Sequence, residues 1–229
     1  MTDALLFVAF PYVAVALAVA VGLYRYFYDR FSYSSISSQF LEDRALFWGS
    51  VPWHYGIGIV LLAHLLALLL PGLWGGLLGA PVRLYLLEIT GYALAAMAVL
   101  GILLLLVRRL TNRRITAVTS AMDWVFLAVL LGQVTLGLVV ALFYRWGSQW
   151  YLYTAVPWLV SLFTLNPQVQ TVAALPWLVK LHFLGGFVIV GLFPFTRLVH
   201  FITFPITYLW RPYQVVIWNR RGNRALERR

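Results

Sequence analysis

Five long apolar segments constrain this chain of 229 residues more than any other feature of its sequence. They cover residues 4–28, 46–70, 84–107, 124–144 and 177–204, and about 20 apolar residues are enough for a helix to cross a bilayer. Because 62% of the residues are hydrophobic and only 10% are charged, a water-soluble fold would lack the polar side chains to cover its surface. The sequence therefore predicts a single membrane domain over residues 1–229, an all-α bundle of five transmembrane helices.

A sixth apolar run, residues 150–165, is shorter than the other five. Pro157 interrupts it, and the pair Asn166-Pro167 follows it directly. Proline inside a helix removes a hydrogen bond, and the run is too short to span a bilayer. We therefore expect a helix that lies at the membrane interface.

The basic residues define an orientation for these five helices. With the N-terminus outside, 14 of the 17 lysine and arginine residues lie on the cytoplasmic side, and an excess of positive charge inside is typical of membrane proteins. Residues 205–229 then form a basic cytoplasmic tail. The first helix is read as a retained span, not a cleaved signal. The net charge of +10 points to this topology, to anionic lipid or to an acidic protein partner, and not to nucleic acid.

All four histidines of the chain lie in the second and fifth apolar segments. Those helices are antiparallel, and ten residues of helix span about 15 Å, so His54 should match the depth of His200, and His64 that of His182. The 18 residues from His182 to His200 make five full turns, which would put both imidazoles on one helix face. The sequence thus predicts two pairs of histidines, one toward each membrane face.

Two imidazoles on facing helices suit the two axial positions of a haem, which favours electron transfer over oxygen chemistry. Zinc or di-iron sites would need further ligands, and the spans offer hardly any carboxylate besides Glu88. Copper and purely structural histidines remain open by residue type. The absence of cysteine excludes disulfides and iron–sulfur ligation by this chain.

Three glycines near the histidines, Gly58, Gly185 and Gly186, would leave room for a flat macrocycle or serve helix packing. Arg197 lies one turn before His200, where it would bind a haem propionate or extend to the cytoplasmic interface. Pro194 should kink or loosen the last helix.

Three motifs then carry a resemblance to a known family. They are Trp53-His54-Tyr55-Gly56-Ile57 with His64 ten residues later, the turn Arg108-Arg109-Leu110, and Phe193-Pro-Phe-Thr-Arg-Leu-Val-His200. Together they resemble the gamma subunit of respiratory nitrate reductase, a dihaem cytochrome b membrane anchor, over residues 37–214. The resemblance implies five helices in a prokaryotic cytoplasmic membrane, two haem b groups, and membrane quinol oxidised at the outer face. It also implies two cytoplasmic partners, an iron–sulfur subunit and a molybdenum subunit that reduces nitrate.

Carried onto this sequence, the resemblance makes His64 and His182 the ligands of the distal haem, and His54 and His200 those of the proximal one. Quinol would bind near His64. At the start of the third helix the family typically has a lysine implicated in quinol binding, and Arg83 occupies that position here. Arginine can hold a quinol oxygen but is a poor proton acceptor; it could equally be an interfacial anchor. Glu88 could accept a proton, although we expect it to pair with Arg83 or Lys180 instead.

Other functions fit parts of the sequence. A dihaem cytochrome b could anchor a different oxidoreductase, such as a hydrogenase, a formate dehydrogenase or a heterodisulfide-type reductase. A membrane transporter is a different class, but the spans have few carboxylates and no recognisable inverted repeat. A non-redox anchor is a further alternative.

Overall fold

A computed structural model describes residues 2–29 and 41–202, except the side chain of His200. Within those residues, five helices are long and apolar enough to cross a membrane. They are α1 (Thr2–Tyr28), α2 (Arg44–Leu69), α3 (Pro81–Thr111), α4 (Ala121–Phe143) and α5 (Trp177–Phe195). The prediction of an all-helical protein with five membrane-spanning helices is confirmed, and the predicted basic tail, residues 205–229, lies outside the described residues.

A short helix, Pro71–Leu78, separates α2 from α3, where the sequence analysis left an unassigned connection. Leu70 leaves the helical region of φ and ψ with values of −129° and 57°, as expected for a residue that precedes proline. Pro71 then starts the short helix, a position at which its missing N–H costs nothing. This helix places Leu77 and Leu78 beside the start of α3.

The fifth helix is shorter than predicted. Its α-helical part ends at Leu192, and two 3₁₀ helices follow, Phe193–Phe195 and Arg197–Phe201, separated by the extended residue Thr196. Pro194 cannot donate a backbone hydrogen bond, which explains the end of the regular helix. The predicted loosening at Pro194 is confirmed, and the regular helix that was assumed between His182 and His200 is not present. The five-turn argument that put His182 and His200 on one face therefore does not apply.

The sixth apolar run folds as three short pieces, Gly147–Trp150, a π-helical turn Tyr151–Ala155, and Val156–Phe163. It is not among the helices long enough to cross a membrane in the described part of the chain. Its residues pack against the end of α2, the short helix and the start of α3, in a cluster of Ala67, Trp74, Leu78, Leu84, Leu152 and Val156. We call residues 147–163 the outer segment, after the side on which the sequence analysis places it.

The long helices pack in the order α2, α3, α4, α5 and α1. Glycines bring α2 and α3 close together: a Cβ on Gly101 would lie 2.5 Å from the backbone nitrogen of Trp53, and one on Gly56 would lie 2.7 Å from the carbonyl oxygen of Leu94. Small residues that let backbones approach are the usual means of helix association in membranes. This contact fixes α2, which carries His54 and His64, against the rest of the bundle.

Candidate functional site

His54 and His64 have the same local geometry on α2. The Nδ1 atom of His54 lies 2.7 Å from the carbonyl oxygen of Ser50, and that of His64 lies 2.8 Å from the carbonyl oxygen of Val60. A carbonyl only accepts, so each ring carries its hydrogen on Nδ1 and its lone pair on Nε2. Ligation through Nε2 with Nδ1–H bonded to a carbonyl is the usual arrangement of a metal-binding histidine.

Tyr151 of the outer segment contacts His64. Its ring meets the imidazole edge to face with 4.7 Å between centroids, and its hydroxyl donates to the carbonyl oxygen of His64 at 3.2 Å. Burial raises the pKa of Tyr151 to about 12, so the phenol keeps its proton at neutral pH. The outer segment thus packs directly on a candidate ligand.

His182 lies on α5 and contacts α4. The side-chain nitrogen of Gln133 lies 3.1 Å from Nδ1 of His182 and donates to its carbonyl oxygen at 2.9 Å. Trp150 of the outer segment, next to Tyr151, has its ring centroid 6.3 Å from that of Phe183, the residue after His182. The outer segment thus contacts both His64 and the helix turn that carries His182, the two histidines that the sequence analysis matched by depth.

His200 lies in the second 3₁₀ helix, and its side chain is outside the described part of the structure. Two arginines hold the chain just before it. Arg25 of α1 donates to the carbonyl oxygen of Pro194, and Arg197 forms an ion pair with Asp123 of α4, with both contacts at 2.7 Å. The backbone that carries His200 is thus bound to α1 and α4.

Arg197 has a carboxylate partner that the sequence analysis did not consider. Besides Asp123, it donates to the carbonyl oxygen of Val118 at 3.2 Å. Asp123 is buried and also forms a capping box with Ser120 at the start of α4. Binding of a haem propionate by Arg197 stays a prediction. The observed contacts of Arg197 connect the 3₁₀ helix that carries His200 to the start of α4.

Arg83 lies at the start of α3 and caps the short helix, donating to the carbonyl oxygens of Leu77 at 3.1 Å and Gly76 at 3.0 Å. It also lines an apolar cavity of about 300 Å³. The other lining residues are Leu77, Leu78, Leu86, Leu87 and Thr90. Two of the five guanidinium N–H groups bind the short helix, which leaves three that could meet a ligand oxygen.

Glu88 does not pair with Arg83 or Lys180, so that expectation was wrong. One carboxylate oxygen of Glu88 accepts from the backbone nitrogen and hydroxyl of Ser148, at 2.9 Å and 2.6 Å, and the other accepts from Tyr92 at 3.4 Å. Lys180 instead pairs with Asp3 at 3.4 Å. The backbone N–H groups at the start of a helix attract a carboxylate, and here Glu88 binds the outer segment to α3.

The three glycines singled out in the sequence differ in their surroundings. A Cβ on Gly58 would meet no atom within 4 Å, so the α2 surface one turn after His54 is open. A Cβ on Gly185 would lie 2.0 Å from the side-chain oxygen of Gln133, and one on Gly186 would lie 3.9 Å from its nitrogen. Gly58 leaves the room that a macrocycle needs, whereas Gly185 makes room for Gln133.

The donor set fits a haem held by two imidazoles. His54 and His64 have Nδ1 against a carbonyl oxygen, which leaves Nε2 as the nitrogen that could ligate, and Gly58 leaves an open surface beside His54. Across residues 2–29 and 41–202, no group of three or more His, Cys, Asp or Glu side chains could hold a metal ion. A haem needs only two protein ligands, fewer than such a group contains, because the porphyrin supplies the other four.

Sequence reasoning missed three residues near the candidate ligands: Gln133, Tyr151 and Asp123. A signal for Gln133 was available, since a polar amide inside an apolar span is costly unless it has a partner. Asp123 was also visible as a residue three positions after Ser120, the spacing of a capping box. The contact of Tyr151 with His64 depends on how the outer segment folds back, and no local pattern encodes that.

Comparison with known proteins gives consistent matches over nearly the whole chain. The nitrate reductase gamma subunit family model matches residues 3–219. The chain is 32% identical to the nitrate reductase gamma chain of Bacillus subtilis over 97% of this chain and 100% of that protein. It is 30% identical to the respiratory nitrate reductase 1 gamma chain of Escherichia coli, and this match covers 90% of this chain and 93% of that protein.

A third relative is a longer protein. The nitrate reductase-like protein NarX of Mycobacterium tuberculosis is 32% identical over 95% of this chain but only 34% of its own length. The family model and the two gamma chains, by contrast, match nearly the whole length of this chain, and the two gamma chains are themselves covered over 93% or more of their length. With its five apolar helices, this chain belongs to the nitrate reductase gamma subunit family.

Proposed function

We propose that this chain is the dihaem cytochrome b subunit of a respiratory nitrate reductase. It would oxidise membrane quinol at the outer face and pass electrons to the iron–sulfur and molybdenum subunits on the cytoplasmic side, where nitrate is reduced. The observation that carries the proposal is that the outer segment contacts both His64 on α2 and the residue after His182 on α5, within a chain of this family. Such a pair of imidazoles suits haem ligation for electron transfer.

In this proposal, His64 and His182 bind the outer, distal haem, and His54 and His200 bind the inner, proximal one. A haem held by two imidazoles supplies reversible one-electron transfer at iron. The carbonyl oxygens of Ser50 and Val60 hold Nδ1–H of His54 and His64. They thereby fix each ring in the tautomer that ligates through Nε2, and hold it in the orientation that ligation needs.

Quinol would bind in the cavity beside Arg83, near the end of α2 that carries His64. The leucines that line this cavity suit an apolar ring and tail, and Arg83 would donate to one quinol oxygen. Its contacts with Leu77 and Gly76 hold the guanidinium at the cavity wall. Arginine keeps its charge at all working pH values, so the two protons of quinol would go to water on the outer side and not to Arg83.

The electron path is tested by quinol-driven haem reduction in membranes that contain the complete complex. With His64→Ala, a quinol analogue should no longer reduce the remaining haem, whereas dithionite still should. With His200→Ala, quinol should still reduce the outer haem. Quinol-driven reduction at the wild-type rate in His64→Ala would contradict entry of electrons at the outer haem.

The quinol site is tested separately at Arg83. Arg83→Leu should raise the quinol concentration needed for half-maximal haem reduction by about ten- to a hundredfold, the range for loss of a charged hydrogen bond. Arg83→Lys should restore most of the loss. Arg145→Leu is the matched control, because Arg145 does not line the cavity. An unchanged requirement for quinol in Arg83→Leu would remove Arg83 from the site.

A further inference from the structure

Gln133 is a polar residue in the middle of the apolar helix α4, and its side-chain nitrogen contacts His182 twice. Its side-chain nitrogen lies 3.1 Å from Nδ1 of the imidazole and 2.9 Å from the carbonyl oxygen of the same residue. A buried amide in a membrane helix is costly without such partners. The pair therefore joins α4 to α5 at a candidate haem ligand.

Two glycines make this contact possible. A Cβ on Gly185 would lie 2.0 Å from the side-chain oxygen of Gln133, and a Cβ on Gly137 would lie 2.8 Å from Cε1 of His182. Any larger residue would displace either the amide or the ring. The two helices are thus shaped around this pair of side chains.

The partner of Nδ1 is different at His182 from that at the histidines of α2. His54 and His64 use carbonyl oxygens four residues back on their own helix, which the helix backbone supplies whatever the side chains are. His182 uses a side chain from a neighbouring helix. A single substitution can therefore remove the hydrogen bond at His182, whereas the carbonyl partners of His54 and His64 persist, although the Ser50 hydroxyl also lies 3.0 Å from Nδ1 of His54.

We propose that Gln133 is the positioning residue for His182 and sets the potential of the outer haem. The inference rests on the proposed function, in which His182 binds the iron of that haem. When Nε2 ligates a metal, the ring proton lies on Nδ1 and needs an acceptor. In the structure the amide nitrogen faces both Nδ1 and the carbonyl oxygen of His182. A half-turn of the amide would bring the side-chain oxygen to Nδ1–H and give up the hydrogen bond to that carbonyl oxygen.

An acceptor at Nδ1 makes the imidazole a stronger electron donor to the metal, which lowers the reduction potential. A carboxylate accepts more strongly than an amide, whereas leucine does not accept at all. The outer haem should therefore have its lowest potential in Gln133→Glu, an intermediate one in the wild type and its highest in Gln133→Leu. A purely structural role would not give shifts of opposite sign.

The experiment is a redox titration of the haem b absorbance in membranes that contain the complete complex. Gln170→Glu and Gln170→Leu are the controls, because Gln170 is exposed in the connection before α5 and repeats the same changes of charge and polarity. Opposite shifts at the outer haem in the Gln133 variants, with neither shift in the Gln170 variants, would support the proposal. The inner haem should keep its potential throughout.

Other outcomes would overturn it. Unchanged potentials, shifts of the same sign, or equal shifts in the Gln170 variants would all exclude tuning by Gln133. If Gln133→Leu loses the outer haem, Gln133→Glu decides: a lower potential supports the proposal, and an unchanged one contradicts it. Loss of the outer haem from both variants would mean that Gln133 acts through packing alone. Absence of haem b from the wild type would instead refute the proposed function.

Discussion

At the scale of residues, charged side chains near the ends of the helices bind each other or backbone groups. Asp123 pairs with Arg197, Glu42 with Arg108, and Lys180 with Asp3. Each pair joins two segments that are distant in sequence. Because a charge near the hydrocarbon core is costly without a partner, these pairs fix how the helix ends meet.

Asp123→Asn tests the link to the turn that carries His200. The substitution removes the charged acceptor of Arg197, and leaving a partly buried donor without it costs about 1 to 3 kcal/mol. We expect a lower content of the inner haem and a shift in its potential, measured by spectral redox titration. Asp3→Asn is the matched control, because it removes the partner of Lys180 at the opposite end of α5. An inner haem that is normal in Asp123→Asn would show that the ion pair does not position His200.

Glu42 gives a pH-dependent prediction. Hydrogen bonds from the Arg108 side chain, at 2.6 Å, and from the backbone N–H of Ala45 lower the pKa of Glu42 below its ordinary value. A depressed carboxylate pKa stabilises the fold above the unfolded pKa, and this stabilisation is lost as the pH falls through the folded pKa. In detergent, the midpoint temperature of unfolding should therefore be higher for the wild type than for Glu42→Gln at a pH of about 7. The difference should shrink below the ordinary carboxylate pKa of about 4.3, and a constant difference would exclude this linkage.

At the scale of elements, hydrophobic length identified the long helices but not their interruptions. The run from residue 46 to residue 70 became α2 almost unchanged, because apolar length alone requires a helix there. The end of α5 was different: Pro194 signalled the break, but the two 3₁₀ helices depend on contacts of Arg25 and Arg197 with other helices. The contacts between histidines and their partners likewise depend on packing between distant segments.

The contact between α2 and α3 gives a prediction at this scale. In Gly101→Ala, the new methyl group would lie 2.5 Å from the backbone nitrogen of Trp53, one residue before His54, so α2 must move. Overpacking of this kind costs about 1 to 3 kcal/mol, and we expect reduced haem content and a lower unfolding temperature. Gly91→Ala on the same helix is the matched control, because a Cβ there meets nothing within 4 Å. Equal behaviour of the two variants would mean that the bundle accommodates the change freely.

At the scale of the whole molecule, the account requires one orientation in the membrane. The chain has no cysteine, so single cysteines can report on each side. An impermeant maleimide should label Gln170→Cys in intact spheroplasts, and should label Arg113→Cys only after the membrane is opened. The positive-inside rule gives this expectation, because Arg108 to Arg114 form a basic turn. Labelling of Arg113→Cys in intact spheroplasts would reverse the proposed direction of electron transfer.

In the proposed function, four histidines hold two haems, one toward each membrane face. The most direct test is the haem b content per chain of the purified complex, with each histidine replaced in turn. We expect two haems per chain in the wild type, and one in each variant. His64→Ala and His182→Ala should lose the same spectral component, and His54→Ala and His200→Ala the other. A wild-type chain without haem b, or a histidine whose loss leaves both haems in place, would contradict it.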